Sequence, residues 1–564
     1  MQASEPSRLA RVPLVAWGLL SALLFALIWP PIGWWWCSFV AIAPLVLVAR
    51  RARSARAAFL IAGLTQVPAW LLLQYWLVQL TPPGMALLVL YCSLYVGVFA
   101  VVLRRVDRVR WPAAISVPIV WTAVEHLRTT LVLGGYPWFP LGLGLIGPET
   151  GDAPFGHAAS LFGTPVLSFI AASVSGAVVD LVSRAAPGST SEAPRSRFAR
   201  AIGPLVAASL ALADLLYGAY VLRSTAVVPG PRVLVVQTDL SVSNKEAWSR
   251  QDQERDFADF IRASYEGAEL AMREGQPIDV VAWPETMVPG FGLEPEATAM
   301  LVREGLYPMS HYLDGLVSLS RAIRAPLLVG SAVYLGLTPD DATQRWEWTT
   351  HYNSAYLVDG TPPFQRYDKL VLTPFGEVMP LISRWEWLEQ KLLSLSAPGM
   401  TFDLEPGAAP VRFEVAARGG GAPHRVVTPI CFEATIASVC RQLCYQDGRR
   451  VADLMVNLSN DGWFGWNDAG RQHHVLHARL RTLELGVPMI RCANTGRSVA
   501  IEWTGRVSDE IPTLGSGTGT MTKPMTPGLT NRSTLYGVVG DIWPWTTLAA
   551  TAALLLVAGR AKRR

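Results

Sequence analysis

The chain has 564 residues, 51% of them hydrophobic and 16% charged, and a net charge of +4. Soluble domains carry about 25% charged residues, so the composition excludes an ordinary cytosolic enzyme, a disordered chain and a collagen-like fibre. Six cysteines are too few for a disulfide scaffold, and the small net charge gives no reason to expect nucleic acid as a partner.

Apolar blocks run over 13–30, 35–49, 57–76, 85–103, 112–132, 159–183 and 203–222, and an eighth over 539–559. Each comes close to the ~20 residues a helix needs to cross a bilayer core. The 21 tryptophans suit a chain that meets lipid headgroups, and Trp34, Trp35 and Trp36 stand where the second block would enter the interface. The first block lacks a small-residue cleavage site and is followed by further membrane segments, so it reads as a span rather than a signal peptide. Glu125 and Arg128, three apart near the end of the fifth block, are spaced to pair on one helix face. Cys37 and Cys92 fall inside spans and read as apolar packing residues.

The basic residues sit in alternate loops: Arg8 and Arg11; Arg50, Arg51, Arg53 and Arg56; Arg104, Arg105, Arg108 and Arg110; Arg184, Arg195, Arg197 and Arg200; and the tail Arg560, Lys562, Arg563 and Arg564. The positive-inside rule then places both termini in the cytoplasm and the long segment 223–538 on the other side. This divides the chain into a seven-span membrane domain (1–222), an extramembrane domain (223–538), and a last span with a basic tail (539–564).

Within 223–538, strands are expected over 232–237, 279–283, 326–334, 353–358, 426–431, 454–457 and 489–493. Helices are expected over 251–273, 311–324, 434–445 and 472–486. Strands alternating with helices indicate an α/β layered domain. Gly419–Gly421 and Gly515–Gly519 read as flexible loops, and 383–395 as an amphipathic helix that could lie at a membrane interface.

Three residues at expected strand ends carry chemistry: Glu285 in VVAWPE, Lys369 in RYDKLVLTPFGE and Cys431 in VVTPICFE. A free thiol titrates near 8.5 and is mostly protonated at neutral pH. A carboxylate beside it can take the proton, and an ammonium can stabilise the thiolate and then an oxyanion. His473, His474 and His477 form HHxxH, a spacing that can hold zinc, but no acid or cysteine stands at motif spacing, so they read as structural. Cys440 and Cys444, four apart on one expected helix, are poorly placed for a disulfide.

The trio Glu285, Lys369 and Cys431, in that order and context, resembles the nitrilase (carbon–nitrogen hydrolase) superfamily. With WPET (283–286), YDKLVLTPFGEVMP (367–380), CFE (431–433), SNDGWFG (459–465) and ARLRTLELGVPMIRCANTG (478–496), the whole chain resembles the bacterial apolipoprotein N-acyltransferases. The resemblance implies an αββα sandwich joined to a polytopic helical bundle of about eight spans, in the bacterial inner membrane, with the sandwich on the periplasmic side. It implies no cofactor and no metal. It also implies a two-step reaction: the Cys431 thiolate takes an acyl chain from the sn-1 ester of a phospholipid, phosphatidylethanolamine in most members, and passes it to the α-amino group of a diacylglyceryl-modified N-terminal cysteine of an apolipoprotein.

By the same resemblance Cys431 is the nucleophile and Glu285 the general base. Lys369 and the backbone N–H of Phe432 stabilise the oxyanion. Glu377 supports Lys369, and Glu433 and Trp248 are further residues of the site; spacing alone assigns Glu433 no role. The family commonly has tyrosine after the nucleophile, so no function of that hydroxyl carries over to Phe432. The family has a similar Pro-Trp to Pro137-Trp138 in GGYPW, which implies a substrate-facing or interface-anchoring loop. Apolar segments 287–293 and 378–387 are candidate lids. Each chain holds the full trio, so a monomer is expected. The alternative reading is a membrane-anchored nitrilase-type amidase acting on a small amide, with water as acceptor.

Overall fold

The computed structural model describes residues 12–131, 134–149, 151–153, 155–182, 197–240, 248–305, 309–340, 345–374, 376–378, 387, 404–418, 420–465, 467–511 and 519–560. The chain divides into two compact units, Met1–Ser224 with Val539–Arg564, and Thr225–Val538.

The first unit is built of apolar helices. Among the described residues five are long and apolar enough to cross a membrane: Ala55–Leu73, Pro82–Val109, Thr164–Val182, Ala201–Ser224 and Ile542–Arg560; Leu14–Leu27 is apolar but shorter. Small residues let these helices approach closely. A Cβ on Gly97 would lie 2.8 Å from the Phe59 ring and 3.0 Å from its carbonyl oxygen.

The second apolar block departs from the expected continuous span. It breaks into a 3-10 turn, Trp35–Phe39, and the nine-residue helix Ala43–Arg51. At 1.5 Å per residue that helix is about 14 Å long, half of a ~30 Å hydrocarbon core. The fifth block holds the helix Ala113–His126 and then a π-helical turn, Leu127–Leu131.

Glu125 and Arg128 do not pair. Glu125 accepts from the Trp121 indole at 3.1 Å and the Leu141 amide at 2.7 Å. Arg128 donates to the carbonyls of Tyr136, Trp138 and Phe139 at 3.2, 2.8 and 3.2 Å. Those carbonyls belong to a loop interrupted by Pro137 and Pro140, whose backbone lacks donors. The buried guanidinium supplies them. Trp138, in the same loop, is buried against Trp76 at 5.6 Å rather than standing out as an anchor.

The second unit holds two six-stranded sheets. In chain order we number their strands β1 (Val233–Gln237), β2 (Val280–Ala282), β3 (Leu327–Leu335), β4 (Thr350–Val358), β5 (Gln365–Asp368), β6 (Phe413–Val415), β7 (His424–Val427), β8 (Leu454–Ser459), β9 (Met489–Ala493), β10 (Ser498–Ile501), β11 (Val507–Ile511) and β12 (Met521–Met525). One sheet has the order β12-β1-β2-β3-β4-β5 and the other β11-β10-β9-β8-β7-β6. Parallel pairs lie at the centre of each, β1-β2-β3 and β7-β8-β9, and the outer pairs are antiparallel.

The apolar run VLVV of β1 follows from burial on both faces. Val233 and Val235 join the core between the sheets, whereas Leu234 and Val236 pack outward on Phe257, Phe260, Leu316 and Ile323. These belong to the helices Arg250–Arg273 and Met309–Ile323. The former starts where Ser249 caps the Asp252 amide, and it buries Phe257, Phe260, Ser264, Ala268 and Ala271 along one stripe. On the other side, Cys440 and Leu443 of Ala437–Cys444 and Val475 and Ala478 of Asp468–Leu485 cover the second sheet. The result is the four-layer αββα sandwich that the resemblance implied. Gly419 and 515–518 lie outside the described residues, as does 383–395 apart from Trp387.

Candidate active site

Glu285 stands three residues beyond β2, in a turn laid on β3. The amides of Met287 and Val288 donate to the Gly330 carbonyl at 2.9 and 3.1 Å. Only glycine permits this approach: a Cβ at 330 would lie 2.4 Å from the Pro284 oxygen and 2.7 Å from the Glu285 Cα. Gly330→Ala should displace the carboxylate and slow acylation of Cys431 by p-nitrophenyl acetate about 10²-fold, the cost of an ångström-scale misplacement. An unchanged rate would show that the turn tolerates the methyl group. The segment 287–293, expected as a lid, is packed in the core through Met287, Val288 and Leu293. Of 378–387, only Val378 and Trp387 lie among the described residues.

Lys369 follows β5, and its buried ammonium sits between two carboxylates. Nζ is 3.6 Å from Glu285 Oε1, and 2.9 and 2.7 Å from the two oxygens of Glu377. The Asn353 side-chain amide, from β4, bridges the same acids, donating to Glu285 Oε1 at 2.8 Å and Glu377 Oε1 at 3.0 Å. The Asn460 amide donates to Glu285 Oε2 at 3.0 Å, and the Thr373 amide to Glu377 Oε2 at 2.7 Å. Burial disfavours the charged lysine, but Glu377 and Glu285 outweigh it and hold its pKa above the ordinary range. Burial likewise opposes the Glu377 carboxylate, and Lys369 outweighs it, so Glu377 stays ionised.

Cys431 does not end a strand as expected. β7 stops at Val427, Ile430 forms a single bridge to Leu458 of β8, and the thiol opens a 3-10 turn, Cys431–Thr435. Its φ is +48°, left-handed and uncommon for a residue with a Cβ. Burial first, and then the Glu285 carboxylate, push the thiol above its ordinary pKa; Lys369 pulls the other way. Cys431, a half-buried residue, therefore carries a protonated thiol at rest.

Glu433 links the two halves of this arrangement. Its Oε1 accepts from the Leu370 and Val371 amides at 2.7 and 3.2 Å, just after Lys369, and its Oε2 from the Ile430 amide at 2.7 Å, just before Cys431. The Tyr367 hydroxyl is 3.0 Å from both oxygens. Burial raises its pKa to about 7 against those donors. Trp248 donates its indole N–H to Asp256 at 3.0 Å and its carbonyl accepts from Gln253, which ties it to the start of the helix Arg250–Arg273.

Sequence reasoning missed Asn353 and the polar group behind Cys431. Asp461, Ser459 and Arg491 are buried together, and His474 reaches both Asp461 and the Cys431 carbonyl. The motif SNDGWFG and the HHxxH triplet were the available signals. Among the described residues no group of His, Cys, Asp and Glu is arranged to hold a metal.

Residues 21–177 match the family described as "Apolipoprotein N-acyltransferase N-terminal domain", and residues 243–524 match "Carbon-nitrogen hydrolase". Among curated proteins, the chain is similar to an apolipoprotein N-acyltransferase of Geobacter metallireducens, at 26% identity over 96% of this chain and 95% of that one. It is similar to one of Bradyrhizobium diazoefficiens, at 29% identity over 83% and 78%. A third, from Bordetella bronchiseptica, is 30% identical over 79% of this chain and 72% of its own.

Proposed function

The chain belongs to the apolipoprotein N-acyltransferase family and is a membrane acyltransferase of lipoprotein maturation, and from that premise we propose that it works through a thioester on Cys431. The observation that carries the proposal is the convergence of Glu285, in the turn after β2, Lys369, just after β5, and Cys431, in the turn beyond β7, on one site.

Because the resting thiol is protonated, its proton passes to Glu285 as sulfur attacks the sn-1 ester carbonyl of phosphatidylethanolamine. The oxyanion forms beside the Lys369 ammonium and the Phe432 N–H. Collapse breaks the ester C–O bond, and Glu285 returns the proton to the departing lysophospholipid oxygen. In the second half, the α-amine of the diacylglyceryl-modified cysteine attacks the thioester. Glu285 takes a proton from the nitrogen, the C–S bond breaks, and Glu285 passes that proton to the departing sulfur, which restores the thiol. Glu377 holds Lys369 in place and keeps it charged. Exclusion of water protects the thioester from hydrolysis.

The membrane unit answers an energetic problem. Drawing an acyl chain into water costs about 0.8 kcal/mol per CH₂, so a site that meets its lipids at the bilayer avoids most of that cost. In this reading the chain is a monomer with about eight spans and domains at 1–222, 223–538 and 539–564. It resides in the inner membrane with both termini cytoplasmic and residues 223–538 in the periplasm, a reading that the alternating basic loops support.

Intact-protein mass spectrometry after incubation with phosphatidylethanolamine tests the thioester. The wild type should gain one hydroxylamine-sensitive fatty acyl group and Cys431→Ala none. The adduct should be discharged by a peptide bearing an N-terminal diacylglyceryl-cysteine. A thiol that reacts with iodoacetamide yet takes no acyl chain from the lipid would overturn the donor assignment and favour the amidase reading.

A further inference from the structure

Behind the nucleophile lies a buried polar group that the proposed chemistry leaves unused. Arg491 donates to both Asp461 oxygens, at 2.9 and 2.6 Å, and to the Ser459 hydroxyl at 2.9 Å. His474 Nδ1 lies 3.1 Å from Asp461 Oδ1 and 3.0 Å from the Arg491 guanidinium. Its other ring nitrogen, Nε2, lies 3.2 Å from the carbonyl oxygen of Cys431. A carbonyl has no proton to give, so a hydrogen bond at this contact requires the N–H on Nε2.

That carbonyl shares a peptide plane with the Phe432 N–H. The plane is rigid, and its C=O and N–H point in opposite directions. A donor that fixes the oxygen therefore fixes the direction of the N–H on the far side. It also polarises the peptide and makes the N–H a stronger donor. The left-handed φ of Cys431 is an uncommon backbone angle, and a tether on its carbonyl helps to hold it. The Asn457 amide is a second, longer tether, at 3.4 Å from the same oxygen.

We propose that His474 is a positioning residue: its Nε2–H anchors the Cys431 carbonyl and so aims the Phe432 N–H at the oxyanion, while Asp461 and Arg491 fix the ring. The inference rests on the reading above, in which Cys431 is acylated beside that N–H.

The test compares acylation with alkylation. Acylation by phosphatidylethanolamine or p-nitrophenyl acetate passes through an oxyanion; alkylation by iodoacetamide does not. His474→Phe keeps a ring but no donor, His474→Asn is too short to reach, and His474→Gln keeps an N–H at nearly the same reach. Phe and Asn should slow acylation about 10²-fold, the scale for loss of one oxyanion donor. They should change alkylation less than threefold, and Gln should recover acylation to within tenfold of wild type.

The inference is overturned if either His474→Phe or His474→Asn acylates at the wild-type rate. It is also overturned if acylation and alkylation fall together, or if a folded His474→Gln acylates no faster than they do. Should His474→Phe fail to fold, Asn against Gln decides. A wild type acylated by the activated ester but not by phospholipid would defeat the donor assignment alone, and His474 is then judged on the ester. A wild type acylated by neither defeats both.

Discussion

Lys369→Met should lower acyl-enzyme formation by about 10⁴-fold at neutral pH, more than loss of an oxyanion contact explains. Removing one oxyanion donor costs roughly 10²–10³. The excess comes from what the lysine separates. Its ammonium lies 3.6 Å from Glu285 and within 2.9 Å of Glu377, and a single Asn353 amide touches both acids. Without the cation, two buried carboxylates would face one another through that amide and share a proton. The base would then be partly protonated, at a cost within the 10²–10⁴ that general base catalysis contributes. Two results follow together. The residual rate should rise as pH is raised above neutral, as the shared proton leaves. In the wild type the lysine should not titrate below its ordinary range, because its pKa is held above it. Single-turnover mass spectrometry across pH would show both. A residual rate flat in pH would restrict Lys369 to the oxyanion.

Glu433→Gln should cost about 10²-fold in acylation and should also alter the pH dependence of stability. Each carboxylate oxygen faces donors: the amides of Leu370, Val371 and Ile430 and the Tyr367 hydroxyl. A glutamine must turn its NH₂ toward at least one of them, leaving a buried donor unpaired at about 1–3 kcal/mol. The amides affected adjoin Lys369 on one side and Cys431 on the other, so both would drift.

The pH effect follows from Glu433's raised pKa. With a folded pKa of about 7 against the ordinary 4.5, the native state binds a proton between those values that the unfolded state has already lost. Stability contributed by this group is therefore present at low pH and declines as pH rises through that window, by roughly 3 kcal/mol. Melting temperatures in detergent at pH 5 and pH 7 should differ less for Glu433→Gln than for wild type. An equal slope in both would place the linkage on another group.

Much of this was legible from the chain alone. Hydrophobic blocks and alternating arginines marked a membrane part, because a bilayer constrains every residue of a span at once. In the second unit, β9 lies where expected, and β1, β2, β3 and β8 within two residues, because central strands buried on both faces announce themselves as unbroken apolar runs. Edge strands such as β6 and β11, with Glu414, Asp509 and Glu510 among their residues, carry no such run and were missed.

Residue identity determined which groups could do the chemistry. A thiol, an amine and a carboxylate are the parts of an activated nucleophile, and their neighbours made the family recognisable. What only the tertiary structure decided is how those groups are held. Asn353 lies 68 residues from Glu285 and 24 from Glu377, yet it bridges the two. Glu433, to which its spacing in CFE assigned no role, ties two segments together by their amides. Cys431 sits in a turn with a left-handed φ rather than at the end of a strand. Arg128, spaced to meet Glu125, serves the carbonyls of a proline-broken loop instead. Hydrogen-bond partners are chosen by which donors and acceptors burial leaves unsatisfied, and that is settled only when distant segments are packed together.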